Sequence, residues 1–431
     1  MDQRVPNASL AAAETSLGAP ASLGRASPHV MFVHDDGPGQ FGALGRHLAG
    51  RGWPVSFASR TSVEIPGCRS LIYGPRRVPS ERTHPYAQAF DRAILNAQGF
   101  AIAALAAARS GMAPDIVVSH AGPGAGLFAR DVFQGVRTVA YVEWWYDHPA
   151  LDLEYLGEPY GEISNPDQAM VERGRNAAMA LEISCADAAI CPTRFQADRF
   201  PTALGRRITV RHDGIDTAFF RPSEARGDDP NRPALLHDLD PSTPLVTYAT
   251  RGMEPHRGFP HFMAALPAIQ AAYPEALIAI AGAMSVAYGT DRMRRVDWMA
   301  RGLATPGLDR ARIVLLGTLP PLSYRWLLRR SDAHVYLTVP FVLSWSLLEA
   351  MATACRLVLS DTAPVTEFAD SRCAILADMR DPVALEKAVG QTLDDRDGAR
   401  RRGAAARAVV ERRASAAKLH TEAASFLRKL A

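Results

Sequence analysis

The stretch 334–363, HVYLTVPFVLSWSLLEAMATACRLVLSDTA, limits the fold of this chain more than any other. A β-branched and aromatic run, His334 to Val339, stops at Pro340. A loop follows, then an Ala/Leu/Met-rich helix opening near Ser344 to Leu347, then a second apolar strand from Leu357 to Ser360. That order is a strand–loop–helix–strand unit, whose loop and helix N-terminus lie at the carboxyl end of a parallel strand. Open α/β sheets bind ligands there, and the unpaired N–H groups of a first helical turn suit an anion. Glu349 falls about one turn inside the helix, where a carboxylate can accept hydrogen bonds from paired sugar hydroxyls. A site of this make suits a nucleoside diphosphate.

The same grammar runs through the whole chain. His29–His34 reads as a buried strand closed by Asp35-Asp36-Gly37-Pro38-Gly39, followed by a helix (Phe41 to Arg51) and a strand (Val55 to Ala58). Further strands are expected at Ser70–Tyr73, Ile116–Ser119, Thr138–Val142, Ala188–Cys191 and Ile208–Arg211, with helices such as Tyr86 to Arg109 and Asp167 to Ala186 between them. Residues 221–243, rich in Pro, Asp and Arg without apolar periodicity, read as a linker. A second series then begins at Leu245–Ala249 and passes through Ala276–Ala281, the helix Asp291 to Arg301 and Ile313–Leu316, closing with helix from Val383 onward. Alternation of this kind predicts an α/β protein of two Rossmann-like, doubly wound domains facing across a cleft. The expected division is a disordered tail at 1–27, a first domain at 28–220, the linker 221–243, a second domain at 244–410, and a terminal helix at 411–431 that can return to the first domain.

Composition excludes several function classes. A net charge of +3 on 431 residues, with scattered basic groups, argues against nucleic acid as a partner. The run at 399–413 reads as the solvated face of a terminal helix. Five cysteines without CxxC or CxH spacing predict reduced thiols in a cytoplasmic protein. No apolar run reaches the length of a membrane span, which leaves peripheral membrane contact open. Asp238-Leu239-Asp240 has DxD spacing but falls in the linker without a preceding strand, and no cluster has zinc spacing, so no metal and no cofactor is expected.

The segment 250–259, TRGMEPHRGF, places Arg251 and Arg257 after the first strand of the second half. Guanidinium groups bind phosphate oxygens bidentately and stay charged, so two of them can stabilise a departing diphosphate. From these residues onward the chain resembles a retaining GT-B glycosyltransferase of family 4, in a bacterial subgroup. The resemblance rests on TRGMEPHRGF, an AGA turn (Ala281 to Ala283), LLGTLP (315–320) and SWSLLEAMATACRLVLSDTAPVTEF in the second half. PDIVVSHAGPGAGLFARDV, TVAYVEWWY, CPTRFQADRFP and ITVRHDGIDTAFFRP carry it in the first.

The resemblance implies a nucleotide sugar donor on the second domain and an acceptor on the first. Arg251 matches the phosphate-binding arginine, with Gly252 beside it. Arg257 stands where lysine is usual, Glu349 matches the ribose-binding glutamate of an E-x7-E motif, and Gly39 lies in the glycine loop near the diphosphate. The chain departs from the pattern at Phe341, where the first glutamate of that motif stands. It departs again around Ser344, Trp345 and Ser346, where a glycine exposes backbone amides, and at Glu143, where histidine is common. Glu143, Trp144 and Trp145 suit an acceptor wall or interdomain packing equally, and His120 suits a substrate contact or a satisfied loop. Glu349 gains ~0.3–1 kcal/mol from the helix dipole without any ligand. The implied reaction is transfer of a hexose-type sugar to an acceptor hydroxyl. An epimerase of the same fold and a non-catalytic sugar-nucleotide-binding partner protein are the alternatives.

Overall fold

The computed structural model describes residues 27–160, 165–223 and 229–431. The expected tail, residue 27 aside, and part of the expected linker lie outside the described residues. Two all-parallel sheets organise the rest. The first contains β1 (Val30–Val33), β2 (Val55–Ser59), β3 (Cys68–Ile72), β4 (Ile116–His120), β5 (Arg137–Tyr141), β6 (Ala188–Cys191) and β7 (Ile208–Val210), in the order β3-β2-β1-β4-β5-β6-β7. The second contains β8 (Leu245–Gly252), β9 (Leu277–Ala283), β10 (Ile313–Gly317), β11 (Ala333–Tyr336), β12 (Leu357–Ser360) and β13 (Ile375–Ala377), in the order β10-β9-β8-β11-β12-β13.

Buried β-branched and aromatic runs make these strands. Val30 to Val33 and Ala333 to Tyr336 are buried throughout, as parallel strands covered on both faces must be. In each sheet the strand order reverses direction once, between β1 and β4 and between β8 and β11. Those switch points open a crevice at the carboxyl ends of the strands. The loops after β1, β4, β8 and β11 therefore carry whatever the fold presents to a ligand.

Several expected elements divide. The helix over 167–186 is two, Pro166–Arg175 and Ala177–Cys185. Asn176 stands between them and bonds through its side chain to both the N–H and the carbonyl of Tyr146. The helix over 291–301 becomes Asp291–Arg294 and Trp298–Leu303, because Asp297 caps the second by accepting from Ala300 N–H. The C-terminal region forms three helices, Pro382–Asp394, Arg396–Arg413 and Ala416–Leu430. The arginine-rich one buries Ala399, Gly403, Ala406 and Val410 along one face. The last packs Leu427 into the core of the first sheet, beside Phe41 and Trp53. The short helix Leu151–Leu156 and strand β13 have no counterpart in the expected pattern.

Candidate functional site

At the end of β8 the chain delivers Arg251 to a pocket of ≈ 560 Å³, lined also by Tyr324, Ser344, Trp345, Ser346 and Glu349. Ser344 caps the helix Trp345–Ala352, its Oγ accepting from Ser346 N–H at 3.3 Å. Glu349 projects from the second turn of that helix, and burial lifts its carboxyl to about 7. The Tyr324 hydroxyl beside it eases the rise without forming a full hydrogen bond. Gly252 is needed for a close approach, since a Cβ there would sit 2.4 Å from the Ser285 carbonyl. Arg257 lies elsewhere. It is 4 % exposed, donates to Thr338 Oγ1 at 2.8 Å and to the Val342 carbonyl at 3.2 Å, and lies over the Tyr288 ring. Arg257 does not line the pocket that Arg251 enters. The reason is local: residues Pro255–Arg257 coil into a 3-10 turn and Gly258 takes φ +68°, carrying Arg257 under the loop after β11.

The loop after β1 in the first sheet holds Gly39 at φ +46°, pressed so close to His34 that a Cβ would meet the imidazole at 2.6 Å. His120, the last residue of β4, shares its Nε2 with a Glu143 oxygen at 3.1 Å, and Gln40 donates to the other Glu143 oxygen at 2.8 Å. Burial opposes charge on His120, but the Glu143 contact outweighs it and raises the histidine above its usual range. Burial pushes Glu143 up, and the same contact brings it below the usual value. His34, 4.8 Å from the His120 ring, is driven down to about 4 by burial and by that neighbour, so it is neutral. His120 and Glu143 face a cavity of ≈ 400 Å³ that Trp144, Tyr288 and Phe341 close from the other side.

Phe341 packs edge-on against Trp144 at 4.7 Å, against Tyr288 at 5.5 Å and against His256 at 5.6 Å. This aromatic cluster divides the first cavity from a second of ≈ 680 Å³, which Trp145 also lines while leaning on Phe200. Arg251, Ser344, Trp345, Ser346 and Glu349 thus share one pocket, and His120, Glu143, Trp144 and Phe341 another. Gly39, Gly252 and Arg257 line none of these three spaces.

Four groups escape sequence reasoning. Asp213 accepts from Tyr141 Oη at 2.9 Å and from Trp345 Nε1 at 2.8 Å, tying β5 to the helix that carries Glu349. Within 208–222 it reads only as a turn residue. Glu254 is fully buried and accepts from the N–H groups of Ala287 and Tyr288. It stands in the quoted segment TRGMEPHRGF, but its partners are 33 and 34 residues away. Glu182 accepts from Ser119 Oγ at 2.8 Å and Gly122 N–H at 3.3 Å beneath the loop after β4. Arg92 reaches the first cavity from a helix whose pattern reads as ordinary packing.

Among the described residues no group of three or more His, Cys, Asp or Glu is placed to hold a metal ion, and Asp238 and Asp240 sit in an exposed turn. No helix among them is long and apolar enough to cross a membrane.

Residues 51–220 match the family described as "Glycosyl transferase family 4 group", and residues 243–395 match "Glycosyl transferases group 1". The chain belongs to the family 4 GT-B glycosyltransferases. The transferase also resembles solved structures over nearly its whole length. A sucrose-phosphate synthase from Thermosynechococcus elongatus superposes with a TM-score of 0.69 at 16% identity, over 94% of this chain and 99% of that one. HepE of Anabaena, solved with UDP and glucose, gives 0.68 at 14% identity, over 93% and 99%. A glycosyltransferase from Rickettsia africae gives 0.66 at 14% identity, over 94% and 99%. Identities this low show the fold alone. No curated protein matches the transferase.

Proposed function

We propose that the transferase moves a hexose-type sugar, with retention of configuration and without a metal, from a nucleoside diphosphate sugar to an acceptor hydroxyl bound against the first sheet. The observation that carries this reading is the pocket shared by Arg251, the capped helix start at Ser344 and Glu349. It offers a fixed cation and a helix N-terminus for a diphosphate, and a carboxylate for ribose hydroxyls. HepE, of the same fold, is solved with UDP and with UDP-glucose, which makes uracil the first base to test. Retention and hexose transfer come from the family resemblance.

In the reaction the bond from the anomeric carbon to the diphosphate oxygen breaks and a bond to the acceptor oxygen forms on the same face. The departing phosphate oxygen takes the acceptor proton. Arg251 stabilises the charge on the diphosphate, and Glu349 anchors the nucleotide. Arg257 braces the loop that carries Phe341. Trp144, Phe341 and Tyr288 form an apolar wall against water, and His120 with Glu143 orients the acceptor hydroxyl. Five cysteines without a disulfide fit a reducing, cytoplasmic setting.

The test is a thermal-shift panel of nucleoside diphosphates and their sugars, with and without EDTA, on wild type, Arg251→Ala and Glu349→Ala. Saturation at a hundred to a thousand times Kd should stabilise the wild type by ~2–4 kcal/mol. A shift with one base that survives EDTA and vanishes in both variants is the expected result. No shift with any nucleotide overturns the proposal, and binding without turnover on any acceptor would leave a sugar-nucleotide-binding partner protein instead.

A further inference from the structure

The cavity on the first sheet carries more positive charge than its own carboxylates use. Arg60, Arg92 and Arg175 line it, against Asp35 and Glu143. Both acids are committed. Asp35 accepts from Tyr73 Oη at 2.6 Å, from Asn96 Nδ2 at 2.8 Å and from Arg60 at 3.2 Å. Glu143 is held by Gln40 and His120. Arg175 stands over the Tyr146 ring, 3.6 Å from its centroid, donates to Tyr146 Oη at 2.8 Å and has Glu172 3.6 Å away. Arg92 has no ion-pair or hydrogen-bond partner among the described residues, and the same face of its helix (Gln88–Arg109) brings Ala89, Ala93 and Asn96 to the cavity. The chain leading into that helix adds Arg76, Arg77 and Arg82, none of them in an ion pair among the described residues, against Glu81 and Asp91.

A neutral sugar would leave Arg92 facing nothing of opposite charge, while Arg60 and Arg175 each keep one carboxylate. We propose that the acceptor carries a phosphate group, seated at Arg92 with Arg60 and Arg175 at its rim, so that the acceptor is a phosphorylated molecule rather than a neutral glycan. The planar forks of arginine match phosphate oxygens in pairs. A cavity of ≈ 400 Å³ admits one sugar-sized group with its phosphate. The phosphate can come from a soluble ester or from a lipid headgroup, since the chemistry of recognition is the same. This inference rests on the assignment of the donor to the Glu349 pocket.

The test saturates the full-length transferase with the nucleotide selected above and titrates inorganic phosphate, glucose 6-phosphate and glucose by calorimetry. In parallel the protein is floated with vesicles of phosphatidylglycerol or phosphatidylcholine. Phosphate-bearing probes are expected to bind at least about tenfold more tightly than glucose, the worth of one or two charge-assisted bonds. Arg92→Gln should abolish that preference at unchanged melting temperature and unchanged nucleotide affinity. Binding of glucose 6-phosphate identifies a soluble ester, and binding confined to phosphatidylglycerol vesicles identifies a lipid phosphate. Either result, lost in Arg92→Gln, supports the inference. Three results overturn it: equal affinity for glucose and glucose 6-phosphate, no binding of any phosphate-bearing probe by a protein that binds nucleotide, or a preference that survives Arg92→Gln combined with Arg175→Gln. A protein that binds no nucleotide instead defeats the donor assignment, and the same titrations without nucleotide then still read the arginines.

Discussion

Burial lifts the Glu349 carboxyl to about 7, so its charge changes near neutrality in the unliganded protein. Two ribose hydroxyls donating to it favour the carboxylate, and binding must release a proton when the pH lies below that value. Nucleotide affinity should therefore rise as pH increases through about 7 and level off above. About a tenfold weaker Kd is expected at pH 6 than at pH 8, while Glu349→Gln should be flat over the same range. Calorimetry in two buffers of different ionisation enthalpy checks this directly, because proton release appears as a buffer-dependent heat. Glu349 was legible as a site residue because its helix and strand are adjacent in sequence. Its altered proton affinity was not, since the burial that raises it and the Tyr324 hydroxyl that eases it come from other elements.

At the scale of elements, the loop between β9 and the helix Asp291–Arg294 touches all three spaces. Tyr288 lines the first cavity, Gly289 and Thr290 the second, and Ser285 and Ala287 the pocket with Glu349. One side chain fixes it: Glu254, whose carboxylate accepts from two successive N–H groups of the loop. Glu254→Ala strips the partners from both donors. The expected cost is about 1–3 kcal/mol of stability, read as a lower melting temperature. Weaker nucleotide binding should accompany it, because the pocket wall moves. Glu254→Gln, which keeps one acceptor oxygen, should recover most of both. A melting temperature unchanged by the alanine substitution would show that the loop holds its place without this contact. The short helix Leu151–Leu156 makes a comparable link from the first half, where Asp152 bonds His256 Nε2 at 2.8 Å across the crevice.

Across the whole molecule, the two sheets are joined by contacts between residues remote in sequence. Asp213 bridges Tyr141 and Trp345, Glu367 accepts from the N–H groups of Arg194 and Phe195 at 2.9 and 2.8 Å, and the terminal helix crosses back to the first core. Burial raises Asp213 and Glu182 to about 7, as it does Glu349. A carboxyl whose folded pKa exceeds its unfolded value favours folding fully below the unfolded value and loses that contribution as pH rises through the folded one. His120, raised by Glu143, acts with the same sign. Below pH 6.5 the buried histidines His34, His212, His261 and His334, each lowered to about 4, oppose this trend. The melting temperature of the unliganded transferase should thus fall between pH 6.5 and 8, and Asp213→Asn should make the slope shallower. Calorimetric melting at four or five pH values settles it, and a flat profile in the wild type would contradict the assignment.

Periodicity, the glycine turns and the βαβ grammar of 334–363 were enough to give two parallel sheets, because each strand is a contiguous buried run whose pattern does not depend on distant partners. They also gave the helix start at Ser344 and Glu349 within it. Helix breaks at Asn176 and Asp297 were hidden, since each is set by a side chain choosing a backbone partner rather than by propensity. The place of Arg257 was hidden for a related reason: only five residues of chain separate it from Arg251, and the left-handed Gly258 and the acceptors at Thr338 and Val342 turn it away. The arginines around the acceptor cavity come from three segments more than thirty residues apart, and no local pattern relates them. A sequence records which elements form, because that energy is local. Which charges meet across a crevice is decided by packing, because burial and pairing exist only once the sheets have come together.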